Sequence, residues 1–524
     1  MNFDIRNFLK QPISMSKYII FVTLIDMILY HYPLYSFVFA NLNISSLSGI
    51  LTFSSVLVGL FVVTAFILYL FAIISSRFVK FFIPFIMVGN SIALYFIISY
   101  QVILDKTMMG IVFNTNSTEA ISYYNPKMFL YLFILGILPA YIISKIHIEK
   151  TKRLHLFFYA TGILVSGVLI MYLNAGTWLW IDKYAKRLGG LALPWSYTIN
   201  AIRYEAEELK HSKEQILLPN AKFLDDKKMI VVLVIGESAR ANNFSLYGYE
   251  RDTNPLLKTL NVTTLKNAFS SSTYTTASVN SILSYEGGTS DNYEPLPNYL
   301  QRLGADVIWR TKNWGEPSLK IQTYERDDKL TPHCDGEGCQ YDEVLLTELT
   351  KCIEASKKKK IFIILHTSGS HGPTYYTKYP KRFEVFKPVC KTVDLKECSN
   401  QELINAYDNT ILYTDYFLSK VIEVLKQSSN TPSLMLYVSD HGESLGEYGL
   451  YLHGTPYSIA PDVQKKIPFI IWESESFLAM KNLSKTYTKP MDSYGQNNIF
   501  HTIIGAFGVN SPVYNKKLDI LQRE

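Results

Sequence analysis

Hydrophobic positions divide the chain into two parts of different periodicity. Five long apolar runs come first, at residues 18–40, 49–74, 81–104, 128–143 and 154–173. Each is near the roughly 20 residues a helix needs to cross ~30 Å of hydrocarbon, and none carries Lys or Arg in its middle. Five transmembrane helices are therefore predicted within residues 1–174. The first run is too long for a cleaved signal peptide and lacks a small-residue cleavage site before the next. Residues 175–228 form a connector in which Trp178, Trp180, Tyr184 and Trp195 mix with Lys183, Lys186 and Arg187. Such rings and cations favour the headgroup level, so interfacial linker helices are expected there.

From residue 229 onward the pattern shortens. Continuous apolar runs at 229–235, 306–310, 361–366, 434–439 and 467–472 have the length and composition of central strands covered on both faces. Helical periodicity appears at 343–356, 399–427 and 496–507. The predicted fold class is a membrane-anchored α/β protein, with an α/β/α domain on a largely parallel sheet over residues 229–524.

The charges orient this plan. Arg6, Lys10 and Lys17 precede the first run, Arg77 and Lys80 separate the second from the third, and Lys145, Lys150, Lys152 and Arg153 separate the fourth from the fifth. The alternate loops carry no charge or little net charge, so the N-terminus is expected in the cytoplasm and everything after residue 173 outside it. All five cysteines lie in that outer part. Cys334 with Cys339 and Cys390 with Cys398 each flank a short loop, a layout that suits two disulfides in an oxidising compartment better than zinc ligation. Cys352 is left as a free, part-buried thiol.

Composition adds mostly exclusions. A hydrophobic fraction of 48% and a mean hydropathy of +0.08 average over two unlike halves and describe neither. The formal charge of +6 comes from dispersed basic residues with no aromatic-interleaved stripe, so nucleic acid is not an expected partner.

Chemistry concentrates where the strands end. One runs into Gly236, Glu237 and Ser238, another into the segment from His366 to Pro373 that contains His371, and a third into Asp440, His441, Gly442 and Glu443. In open parallel sheets the C-terminal strand edge binds ligands, so these segments converge. Glu, Asp and His supply suitable oxygen and nitrogen ligands for zinc. Thr275 opens a probable helix at 275–283, whose free N–H groups favour a phosphate or sulfate group. A threonine hydroxyl is a feeble nucleophile in water, and a divalent cation shared by Glu237, Thr275, Asp440 and His441 would activate it. His371 and His453 remain to stabilise the transferred group or protonate the leaving group. His366 stays open between a structural role and support of the site.

At this point a resemblance becomes specific. VIGESARANNFSLYGYERDTNP (234–255), TYTTASV (273–279), LHTSGSHGPTYYTKYP (365–380), INAYDNTILYTD (404–415) and SDHGESLGEYGLYLHGTPYSIAPDVQ (439–464) resemble the phosphoethanolamine transferases that modify lipid A. That family lies within the alkaline phosphatase and sulfatase superfamily and includes the colistin-resistance transferases. The resemblance implies a multi-pass inner-membrane enzyme with a periplasmic catalytic domain and one or two zinc ions. It implies phosphatidylethanolamine as donor, and lipid A or another envelope molecule as acceptor. Glu237, Thr275, Asp440 and His441 would be the zinc ligands, with Thr275 the residue that becomes modified. His371 and His453 would lie near the substrate phosphate or a second zinc, with Asn313 close by, and Thr115 and Glu119 in the donor-lipid region. A monomer is expected.

The chain also departs from the family pattern. Cysteines that often bracket the nucleophile loop are replaced by Ser271 and Ser281, a usual proline by Asn280, a lysine by Pro317 and an asparagine by Ile111. The nucleophile loop is thus expected to lack a covalent staple and to depend on packing and metal. Two other readings share parts of the evidence. A sulfatase or phosphoglycerol transferase would use the same metal site, but Thr275 is followed by no arginine of the formylglycine context. An inactive membrane scaffold would not need every proposed ligand together.

Overall fold

In the computed structural model the described residues are 11–521, except 116–119, 122, 175–177, 212–214, 289–291, 394, 429–430 and 484–490. The chain divides into two units, one of residues 1–109 with 124–204 and one of residues 110–123 with 205–524.

The first unit is a helical bundle. Its helices include Met15–Tyr30 (α1), Tyr32–Asn41 (α2), Leu47–Ile74 (α3), Ser76–Tyr100 (α4), Pro126–Ser144 (α5) and Arg153–Leu173 (α6). Four of them, α3 to α6, are long and apolar enough to cross a membrane; α1 and α2 pass only as a pair, bent by 64°. The run at 18–40, read from hydropathy as one helix, is therefore two. Pro33 accounts for the break, because it has no N–H and its ring excludes a carbonyl one turn back. The His31 imidazole at the bend lies 3.1 Å from the Asp26 carbonyl. Polar groups in the bundle interior are tied to one another: Asn90 donates to Asp26 at 2.7 Å, and Tyr197 donates to Asn90 at 2.9 Å. In the connector, the Trp180 and Tyr184 rings lie 4.8 Å apart and the Trp195 indole donates to Thr64 at 2.9 Å.

The second unit is built on a seven-stranded sheet. Its strands are Met229–Gly236 (β1), Thr263–Thr264 (β2), Asp306–Thr311 (β3), Thr323–Arg326 (β4), Lys360–His366 (β5), Ser433–Ser439 (β6) and Phe469–Glu473 (β7), in the order β2-β7-β6-β1-β5-β3-β4. The five from β6 to β4 run parallel, while β7 and β2 pair antiparallel at one edge. The reason is the connection: between β6 and β7 the chain makes only short turns and no crossover helix, so it must return in the opposite direction. Strand β7 begins at Phe469, two residues later than its apolar run, since Pro468 has no N–H for the ladder.

Every residue of β1, β5 and β6 is buried, which is why these strands read as unbroken apolar runs. Val231, Leu233 and Ile235 join a core with Val279 and Ile282 of the helix Thr275–Leu283 (α7) and with Ile499, Phe500 and Ile503 of the helix Asn497–Phe507 (α9). The long helix Asn400–Gln427 (α8) starts with a capping box formed by Ser399 and Glu402.

The helix expected at 343–356 is interrupted. Turns of 3-10 helix at Asp342–Leu346 give way to Leu349–Ala355 through Glu348, at φ 51°. Arg310 takes the Leu345 and Thr347 carbonyls at 3.0 and 2.6 Å, groups that a continuing helix would have used. Disulfides join Cys334 to Cys339 and Cys390 to Cys398, and Cys352 is free and half-buried.

Candidate active site

Four strand ends deliver the polar residues to one edge of the sheet. Glu237 follows β1, Asp440 and His441 follow β6, Asn313 follows β3 and His371 lies on the loop after β5, while Thr275 is the first residue of α7. All are buried, Glu237 at 1% exposure and Asp440 and His441 at 0%. The Thr275 hydroxyl donates to Glu237 Oε2 at 3.1 Å and lies 3.4 Å from His441 Nε2. His441 Nε2 in turn lies 3.5 Å from Glu237 Oε1 and 3.3 Å from Asp440 Oδ2.

The tautomer of His441 decides what this arrangement means. Its Nδ1 sits 2.9 Å from the Gly442 carbonyl, an acceptor only, so Nδ1 carries the proton and Nε2 presents a lone pair. Burial holds the imidazole near a pKa of about 3, so the ring is neutral. A lone pair thus faces carboxylate oxygens, and Asp440 Oδ2 has no hydrogen-bond donor. Burial and the nearby Glu237 push the Asp440 carboxyl well above the usual carboxylate range. A cation removes this surplus of acceptors, and Glu237, Asp440 and His441 offer ligand atoms all within 4.8 Å of one another. The residues present therefore fit a metal ion. His441, Glu443 and His453 form a second such group.

Donors hold the ligands from outside. Asn313 donates to Glu237 Oε2 at 2.8 Å and Ser238 to Oε1 at 2.6 Å. Asp440 Oδ1 accepts the N–H groups of Ser238 and His441 at 3.0 and 2.7 Å. Gly315, at φ +99°, lies beside Thr275: a Cβ there would stand 3.3 Å from the Thr276 hydroxyl and 3.4 Å from the Thr275 methyl. Gly369 approaches Glu237 in the same way: a Cβ on it would meet the Glu237 carbonyl oxygen at 2.7 Å.

His371 and His453 also come together here, with ring centroids 5.3 Å apart, and His453 lies 4.3 Å from the His441 ring. Glu443 Oε2 meets His453 Nδ1 at 2.9 Å, and Tyr375 donates to Glu443 Oε1 at 2.7 Å. The sequence places Glu443 in the same glycine-rich strand-end segment as His441 but gives it no role, and Tyr375 is not marked as a site residue by any spacing. Thr115 donates to the Ile111 carbonyl at 2.8 Å, and Glu119 lies outside the described residues. His366 is fully buried against the Trp309 ring, 6.0 Å away.

The missing staple has a substitute. Ser281 donates to the Gly287 carbonyl at 2.9 Å and so accepts from Ser271, whose hydroxyl lies 2.7 Å away. A chain of two hydrogen bonds thus ties the places at which the resemblance implies cysteines.

Known proteins match both parts of the chain. Residues 60–209 match the family described as phosphoethanolamine transferase EptA/EptB, and residues 230–509 match the sulfatase family. A phosphoethanolamine transferase EptA of Helicobacter pylori is 40% identical over 99% of this chain and 98% of its own.

The phosphatidylethanolamine transferase Mcr-1 of Escherichia coli is 30% identical over 74% of this chain and 77% of its own. Among solved structures, the integral membrane lipooligosaccharide phosphoethanolamine transferase A of Neisseria meningitidis superposes with a TM-score of 0.87 at 27% identity, covering 98% of this chain and 99% of that one. Identity at this level runs through the apolar third and the α/β part alike, and an agreement so extended places the chain in the phosphoethanolamine transferase family of enzymes.

Proposed function

We propose that the protein transfers phosphoethanolamine from phosphatidylethanolamine to lipid A through a phosphoethanolamine-threonine at Thr275. The observation that carries this reading is the Thr275 hydroxyl, held 3.1 Å from Glu237 and 3.4 Å from His441 at the first residue of a buried helix. The names of the relatives supply the donor and the transferred group, and related Kdo(2)-lipid A transferases point to the acceptor.

Glu237, Thr275, Asp440 and His441 would hold zinc, with room for a second ion beside Glu443 and His453. Bound there, the metal would lower the pKa of the threonine hydroxyl and offset charge on the phosphoryl group. Glu237 accepts the Thr275 proton along the hydrogen bond already present. The Thr275 oxygen bonds to phosphorus as the bond to the glyceride oxygen breaks, and the free N–H groups of the first turn of α7 receive the phosphoryl oxygens. His453, oriented by Glu443, gives a proton to the departing diacylglycerol. A phosphate hydroxyl of the acceptor then gives its proton to His453 as its oxygen bonds to phosphorus, and the departing Thr275 oxygen recovers its proton from Glu237. Adding an ethanolamine cation to an anionic acceptor would weaken its binding of cationic peptides.

The setting follows the same reading. Five spans, with the bent α1 and α2 counted as one, and the positively charged loops support an N-terminus in the cytoplasm of an inner membrane and a catalytic part in the periplasm, where the two disulfides would persist. Residues 1–174 would be the membrane domain, 175–228 the interfacial linker and 229–524 the catalytic domain, with Thr115 and Glu119 near the donor lipid. Intact-mass measurement with phosphatidylethanolamine tests the reaction. A phosphoethanolamine adduct that is absent in Thr275→Ala supports it; a phosphoglycerol adduct or none sinks it.

A further inference from the structure

Gln496 stands just ahead of α9 and is fully buried, yet its side chain touches backbone only. Its Oε1 accepts the Ser271 N–H at 2.9 Å. Its Nε2 donates to the Ser439 carbonyl at 3.1 Å and to the Asp440 carbonyl at 2.5 Å. Ser271 lies four residues ahead of Thr275, and Ser439 and Asp440 form the turn that presents Asp440 and His441. One amide therefore spans the two segments that must meet for the Thr275 hydroxyl to face His441.

We propose that Gln496 is a positioning residue for the transfer reaction, fixing the nucleophile loop against the turn that carries Asp440 and His441. This rests on the function proposed above. The two ends of the amide do different work. The carbonyl end holds the loop, and the NH2 end orients the Asp440 carbonyl and, through the peptide plane, the bond leading to His441. Because the partners are main-chain atoms, Gln496 sets distance and direction without adding charge to the site. Other ties hold the remaining sides: Asp440 N–H reaches the Gly236 carbonyl at 2.9 Å, and the Thr273 carbonyl accepts the Gly454 N–H at 2.9 Å. Neither of them joins the nucleophile loop to the Asp440 turn.

The test uses full-length protein in detergent micelles with phosphatidylethanolamine. Gln496→Glu keeps an acceptor for Ser271 but sets carboxylate oxygens against two carbonyls; Gln496→Leu loses both ties. We expect kcat per folded molecule to fall about 10- to 100-fold, with KM for the donor changed less than about threefold, and zinc affinity in indicator competition to weaken about 10-fold. Wild-type kcat and zinc affinity alongside a lower Tm would overturn the proposal, since a purely structural residue predicts that result. If neither variant folds, amide exchange in the wild-type protein decides. Removing zinc should speed exchange at Ser271 and at residues 439–441 together, and independent rates would overturn the proposal. Thr275→Ala separates the two hypotheses: an adduct that survives it defeats the reaction itself, whereas its loss beside unchanged Gln496 variants defeats only the positioning role.

Discussion

Replacing Ser271 and Ser281 together by cysteine should stabilise the nucleophile loop by a calculable amount. Their hydroxyls meet at 2.7 Å, so two sulfurs on longer Cβ–Sγ arms come within reach of an S–S bond of about 2.05 Å. The positions are 10 apart in sequence, and closing a loop of that length removes about 3 kcal/mol of unfolded-chain entropy. Against this stand the two lost hydrogen bonds, from Ser271 to Ser281 and from Ser281 to the Gly287 carbonyl, worth about 1 kcal/mol each. A net gain of about 1 kcal/mol remains, or roughly 2 °C in Tm for a domain of this size. Calorimetry of the oxidised double variant against the wild type reads that difference, and mass spectrometry reports whether the bond formed. Limited proteolysis with and without chelator adds the functional half: metal removal should expose the loop in the wild type and much less in the cross-linked protein. A bond that forms while Tm stays within about 1 °C and the chelator effect persists would refute the reasoning, because the loop's freedom would then lie elsewhere.

Three further outcomes follow from particular contacts. Asn313→Ala removes the donor to Glu237 Oε2 and should weaken zinc binding or turnover about 10- to 100-fold with the fold intact; unchanged values in chelator competition and assay would remove Asn313 from the site. Asp408→Ala breaks the buried links to Arg251, Asn243 and Tyr249 and should cost about 3 kcal/mol in urea unfolding, and a loss below about 1 kcal/mol would contradict this. Burial pushes the Asp415 carboxyl up to about 7 despite donors at Leu257 and Leu256. The folded state then holds a proton that the unfolded state releases, so this contribution to stability is present below about pH 4 and lost as pH rises through about 7. Asp415→Asn should flatten that part of the pH profile of stability, and an unchanged slope would speak against it.

The sequence revealed what hydrophobic periodicity and motif placement encode. Strands β1, β5 and β6 were legible because burial on both faces demands unbroken apolar runs, and their ends announced Glu237, His371 and the Asp440–His441 pair. Hydropathy does not register backbone geometry, so the bend beside Pro33 was hidden within an apolar run. The interruption near Glu348 was hidden for another reason: it depends on Arg310, which reaches the carbonyls of Leu345 and Thr347 from a different strand. Gln496 and Tyr375 act on segments far away in sequence, and no spacing rule marks them. Ser271 and Ser281 were read as the loss of a staple, since the hydrogen bond that replaces it exists only once the loop has folded.

The centre of the site explains why so much neutral hydrogen bonding surrounds it. Glu237, Asp440 and the His441 lone pair would repel one another if left free to move, and each is restrained from the side that faces away from the others. Backbone N–H groups hold Asp440 Oδ1, which leaves Oδ2 directed inward, and the Gly442 carbonyl fixes the tautomer that turns Nε2 toward it. Tyr407 steadies the turn after β1 by donating to the Ser238 carbonyl at 2.6 Å and accepting the Arg240 N–H at 2.9 Å. Ligands restrained in this way are preorganised, so a cation can enter without first collecting them. The nucleophile loop differs, because its ties at Ser271 are two hydrogen bonds rather than a covalent link. On the proposed reaction, the loop that carries Thr275 is therefore the part whose position a bound metal and Gln496 would have most to fix.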